Sequence, residues 1–168
     1  MSHSRRFLVG ALGALGLLGL TAASVGADQG DNLVEFDSMT PVTGAAVGHL
    51  NDRGILGGGL PWVITEGQGQ LDAQGNLEVE VQGLIIPLPV VNGHPGNPIP
   101  NFVAAVSCLG VTPVLTGPFP ASATGNSEIE AHVALPSTCN SPEVFVGAIN
   151  KAGTFVWFAR ANNASQDS

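Results

Sequence analysis

Short runs in which apolar and polar residues alternate recur along the chain, broken by Gly, Pro, Asn and Asp. In NLEVEVQ, Leu77, Val79 and Val81 fall on one side of an extended chain and Glu78, Glu80 and Gln82 on the other, because successive strand side chains point to opposite faces. SEIEAHVAL repeats this, with Ile129, Ala131 and Val133 inward and Glu128, Glu130 and His132 outward. LVEFDS (Leu33–Ser38) alternates in the same way. PWVITEGQGQL and NLEVEVQGLII flank Asp72-Ala73-Gln74-Gly75, a loop with glycine where left-handed backbone is wanted, and together they predict a hairpin. NFVAAVSCL (Asn101–Leu109), TPVLTG (Thr112–Gly117), EVFVGAI (Glu143–Ile149) and TFVWFARA (Thr154–Ala161) predict further strands. The last two meet at a tight turn, Asn150-Lys151-Ala152-Gly153, and are apolar on both faces, so cover is expected on both sides. Pro87–Pro100 reads as a long surface connection, because its five prolines remove ladder donors. With 12 prolines and 23 glycines, few stretches can hold a long helix. The pattern predicts an all-β fold, an antiparallel β-sandwich or Greek-key barrel of about eight or nine strands.

The first residues follow a different pattern. Arg5-Arg6, the apolar stretch Phe7–Leu20 and the small-residue pattern Val25-x-Ala27 read as an export signal, 1–27. Phe7 follows the arginines directly, where a twin-arginine signal has a spacer, so the export route stays open between the general and twin-arginine systems. Phe7–Leu20 alone is short for a hydrocarbon core about 30 Å thick. Retained through Ala27, the segment would serve as an N-terminal membrane anchor; cleaved, it leaves no span in the mature chain. A short lead (28–32), one β-sandwich domain (33–161) and a polar tail (162–168) follow. The tail carries Asn163-Ala164-Ser165, a glycosylation acceptor pattern.

Charge and cysteine usage narrow the partners. Without 1–27 the chain keeps three basic residues, Arg53, Lys151 and Arg160, against 13 acidic ones, a net charge of −10. So acidic a surface repels nucleic acid and anionic membranes, and it is compatible with cation binding. Cys108 and Cys139 are expected to form a disulfide in an oxidising compartment, a staple worth ~3–4 kcal/mol. Two cysteines are too few for a zinc site of their own.

Gly57-Gly58-Gly59 in RGILGGGLPWVI raises the choice between an anion cradle and a close chain crossing. The phosphate-loop and dinucleotide readings fail, because Leu60-Pro61-Trp62-Val63-Ile64 starts a strand where those motifs need a helix. A crossing over bare backbone remains. Arg53 beside this loop could receive a carboxylate, or pair with Asp52 or another surface acid. Arg53, Gly57, Gly58, Gly59 and His94, the last in GHPGNP, form the candidate ligand loop. Glu128, Glu130 and His132, beside Glu78 and Glu80 if the strands neighbour, form a candidate Ca²⁺ site, although a solvated sheet face gives the same alternation. No cofactor is otherwise implied. No G-x-S-x-G elbow is present, there is no tyrosine, and Trp62 and Trp157 lie in apolar runs that suit core packing. No catalytic residue is assigned.

The segments GGGLPWVI, LEVEVQGL, VSCL, LPSTC and WFA resemble small exported bacterial proteins of no established activity, across roughly residues 33–160. The resemblance implies an exported all-β domain and carries no site residues. The expectation is a secreted or extracytoplasmic, non-enzymatic binding or structural module, with an extracellular ligand or envelope component as partner. The alternative is a secreted hydrolase or metal-dependent enzyme using the Glu128/Glu130/His132 face.

Overall fold

The structure, a computed structural model, describes residues 32–163. The export signal and most of the short lead and polar tail lie outside the described residues. The strands in chain order are β1 (Asn32–Phe36), β2 (Met39–Pro41), β3 (Leu56–Gly57), β4 (Glu66–Asp72), β5 (Asn76–Gln82), β6 (Ile86–Val91), β7 (His94–Gly96), β8 (Asn101–Ser107), β9 (Val114–Leu115), β10 (Phe119–Pro120), β11 (Ser127–His132), β12 (Glu143–Ile149) and β13 (Phe155–Ala161). The described residues hold no α-helix; one 3₁₀ turn spans Gly44–Ala46.

A four-stranded antiparallel sheet, β1-β4-β5-β11, packs on a seven-stranded one built on β10-β8-β12-β13-β2, with β3 beside β13 and β9 beside β8. Val34, Phe36, Leu71, Leu77, Val79, Val81 and Ile129 from the first sheet are buried in one core with Phe102, Ala104, Val106, Val144, Val146 and Ala159 from the second. Trp62 stacks on Phe158 with ring centres 4.0 Å apart. Both tryptophans are buried. As the alternation predicts, Leu77, Val79 and Val81 point in, and Glu128, Glu130 and His132 point out. β12 and β13 are apolar on both faces and nearly all buried.

The triple glycine is a chain crossing. A β carbon on Gly57 would collide with the carbonyl oxygen of Ala46, and one on Gly58 would press on Phe158 and Trp62. Gly59 has open space. The bare backbone lets β3 lie parallel to β13, pairing Gly57 with Trp157.

The disulfide joins Cys108 and Cys139, with Cα atoms 4.8 Å apart. Ser107 pairs with Glu143, so the bridge lies just past the end of the β8–β12 ladder and clamps two loops that leave adjacent strands.

Several boundaries differ from the sequence reading. Among the described residues thirteen strand pieces replace eight or nine, because the short β2, β3 and β10 add to the larger sheet and β6 and β7 pair apart from both sheets. Leu60–Ile64 starts no strand: Val63 makes one bridge to Ile85, and regular pairing begins at Glu66. Thr112–Gly117 narrows to Val114–Leu115. The largest correction is Pro87–Pro100, where β6 and β7 pair as a hairpin of their own. Its turn is Asn92-Gly93, with φ of 48° and 79°, the left-handed pair that a two-residue hairpin loop needs. The register holds at Ile86–Gly96 and Val91–His94 and shifts between them, so Pro87 and Pro89 fall where no regular ladder donor is required.

Candidate functional site

The four-stranded sheet turns one face to the core and the other to solvent, and its pleat fixes which side chains reach the outside. The pairing of β5 with β11 puts Glu78 opposite Glu130, Glu80 opposite Glu128 and Asn76 opposite His132. β4 extends these rows, since Gln70 pairs with Glu78 and Gln68 with Glu80. β1 completes one of them with Glu35 opposite Gln70. The outer face therefore carries the row Glu35–Gln70–Glu78–Glu130 across all four strands, and beside it the row Gln68–Glu80–Glu128. Strands lie about 4.8 Å apart, and same-face neighbours along one strand about 6.8 Å apart. The rows line a shallow concavity of about 620 Å³, which Asp37 also lines.

Side-chain amides order the carboxylates. Gln70 Nε2 donates to Glu78 Oε2 at 2.9 Å, and Gln68 Nε2 to Glu80 Oε2 at 3.0 Å. Gln82 Nε2 donates to Glu80 Oε1 at 2.8 Å. The bonds from Gln82 and then Gln68 favour the ionised form and hold Glu80 below the usual carboxylate range. At the end of the sheet, His132 Nδ1 lies 3.3 Å from Asn76 Oδ1.

The strands carrying Glu128, Glu130, His132, Glu78 and Glu80 are thus neighbours, and the candidate Ca²⁺ residues share the outer face. Among the described residues no three His, Cys, Asp or Glu side chains group closely enough to hold a metal ion. The strand rise separates Glu128, Glu130 and His132 along β11, and a cation with six to eight oxygens at about 2.4 Å needs them to converge.

The candidate ligand loop does not form one surface. Arg53 turns inward: its Nε lies 3.2 Å from Glu143 Oε2, and Nη2 donates to the Ser141 carbonyl at 2.8 Å. Arg160 Nε takes the other carboxylate oxygen of Glu143 at 3.0 Å, and its Nη1 lies 3.4 Å from Asp52 Oδ1. The guanidinium of Arg53 is thereby committed within the molecule. Gly57 and Gly58 serve the crossing, and His94 stands exposed on the separate β6–β7 hairpin. Glu143 is buried, and burial raises its carboxyl above the usual range despite Arg160 and Arg53.

No protein-family model, curated protein or solved structure matches this chain. Gln68 and Gln70 join the acidic rows through the alternation of EGQGQ, and Glu35 through that of LVEFDS, signals that the candidate residues read from the sequence leave out. Glu143, a lone carboxylate heading an otherwise apolar strand, is also absent from those candidates, although such a position demands a buried partner.

Proposed function

We propose that this chain is an exported, non-enzymatic binding module that presents the outer face of its four-stranded sheet to a positively charged ligand outside the cytoplasm. The carrying observation is the direct opposition of Glu78 to Glu130 and of Glu80 to Glu128. Like charges opposite one another destabilise a sheet, and a ligand with closely spaced cations offsets that repulsion. The two rows suit an extended polycation better than a single metal ion. The disulfide fits an oxidising compartment, and no helix of the described residues is long and apolar enough to cross a membrane. The test is calorimetric titration with oligolysine and, separately, with Ca²⁺. Oligolysine is expected to bind, to weaken as salt rises, and to lose affinity in the Glu78→Gln/Glu130→Gln double variant. Absence of binding at low salt overturns the reading.

The alternative is a secreted hydrolase on the same face. In-register pairs hold Cβ atoms about 4.5–5.5 Å apart, close to the carboxyl spacing of retaining glycosidases. That chemistry needs one protonated carboxyl, whereas the amide bonds push Glu80 the other way. Hydrolysis of a glycoside panel by the wild type and not by Glu130→Ala would replace the binding reading.

A further inference from the structure

The described residues include eleven asparagines, and their surroundings set one apart. Asparagine is a thermolabile residue, because its amide is lost when the backbone nitrogen of the next residue reaches its Cγ. A side chain held by hydrogen bonds, or a following nitrogen tied into a ladder, is kept from that approach. Asn51, Asn126 and Asn150 accept backbone N–H bonds at Oδ1, and Asn76 donates to Asp72. Asn32, Asn162 and Asn163 are hydrogen-bonded as well. Asn97 is buried and precedes Pro98, whose nitrogen carries no proton. Asn101 precedes Phe102, a fully buried residue of β8. Asn140 is followed by a residue with a side chain, and it lies between the disulfide and the Ser141 carbonyl that Arg53 holds. Asn92 is exposed, its side chain has no hydrogen bond among the described residues, and glycine follows it.

We propose that Asn92 is a site of spontaneous deamidation. Nothing lies within 4 Å of the place a β carbon on Gly93 would take, and the Gly93 N–H enters none of the turn or loop hydrogen bonds. The hairpin pairs with neither main sheet, and its register holds only at Ile86–Gly96 and Val91–His94. A two-stranded hairpin tied so loosely opens locally at little cost, which frees the Asn92 backbone to turn the Gly93 nitrogen onto its own side chain. That nitrogen, its proton taken by hydroxide, attacks Asn92 Cγ. The N–Cγ bond forms, the Cγ–Nδ2 bond breaks, and Nδ2 leaves as ammonia with a proton from water. Water then opens the cyclic imide: cleavage at Cγ leaves an aspartyl residue, and cleavage at the backbone carbonyl an isoaspartyl one. In sum an amide and water become a carboxylate and ammonium, with no oxidant or reductant. The product puts a negative charge beside His94 on a hairpin that otherwise has no acidic side chain. The isoaspartyl form also adds a methylene to the main chain of a two-residue loop, which then no longer matches the Val91–His94 pairing.

The test is incubation of the folded full chain in mildly alkaline buffer, followed by peptide mapping, ammonia release and isoaspartyl-specific methylation. Asn92 is expected to lose its amide completely before any other described asparagine has reacted detectably. The loss is expected to quicken as pH rises, because hydroxide removes the Gly93 proton. Asn92→Gln is expected to keep the far-UV circular dichroism of the wild type and to form no acidic species, since the longer side chain closes the ring poorly. Asn92 left intact in the folded chain while the same chain reacts there in urea, Asn140 reacting first, or the acidic species persisting in Asn92→Gln would each overturn the proposal.

Discussion

Glu143 is held between Arg53 and Arg160, one guanidinium on each carboxylate oxygen, at the head of a strand that is otherwise apolar. Removing the carboxylate leaves two cations facing each other, one of them nearly buried. Glu143→Ala is expected to destabilise the fold by about 3 kcal/mol in urea denaturation. Its pH dependence has a definite sign. Its folded-state carboxyl titrates above the ordinary value of 4.5, so its contribution to stability is full below that value and is lost as pH rises through the folded value. Asp72 behaves oppositely. The Asn76 side-chain amide, followed by the backbone N–H groups of Asn76, Gln74 and Gly75, holds it below 3.8, so its contribution is present above that value and lost as pH falls through the folded one. Urea midpoints followed against pH should lose the first slope in Glu143→Gln and the second in Asp72→Asn. The Asp72 turn was legible in the sequence because all its partners lie within four residues. The Arg53–Glu143 pair was not, because it joins a loop to the head of β12, far along the chain.

At the scale of elements, local signals held where the interaction was local. The Asp72–Gly75 and Asn150–Gly153 turns form as read, each with an Asp or Asn side chain accepting nearby backbone N–H groups and a glycine at positive φ. The β6–β7 hairpin was hidden because prolines weigh against a ladder strand, and only the shifted register shows that these prolines need not donate. The triple glycine gives a contrast within three residues. Gly57→Ala drives a methyl group into the Ala46 carbonyl and is expected to cost about 1–3 kcal/mol. Gly59→Ala meets open space and is expected to stay within about 0.5 kcal/mol of wild type. Thermal or urea unfolding of the two variants checks the pair, and equal stabilities would refute the crossing.

Across the whole molecule, one disulfide, two packed sheets and an acidic outer face on the smaller sheet define the protein. Replacing Cys108 and Cys139 with Ser opens a link spanning 31 residues and is expected to lower stability by about 3–4 kcal/mol, read from urea unfolding of both proteins. The all-β class, the inward and outward faces of β5 and β11, the two tight turns and the cysteine pairing could be read from the sequence, because period-two alternation, turn chemistry and an even cysteine count are local or compositional properties. Tertiary structure alone decided that β5 and β11 are neighbours in a register that opposes glutamate to glutamate, that Arg53 is spent on Glu143, and that the charge-free hairpin stands apart from both sheets. Each depends on which distant segments meet and in what register, and that is set by the joint packing of two sheets around one core.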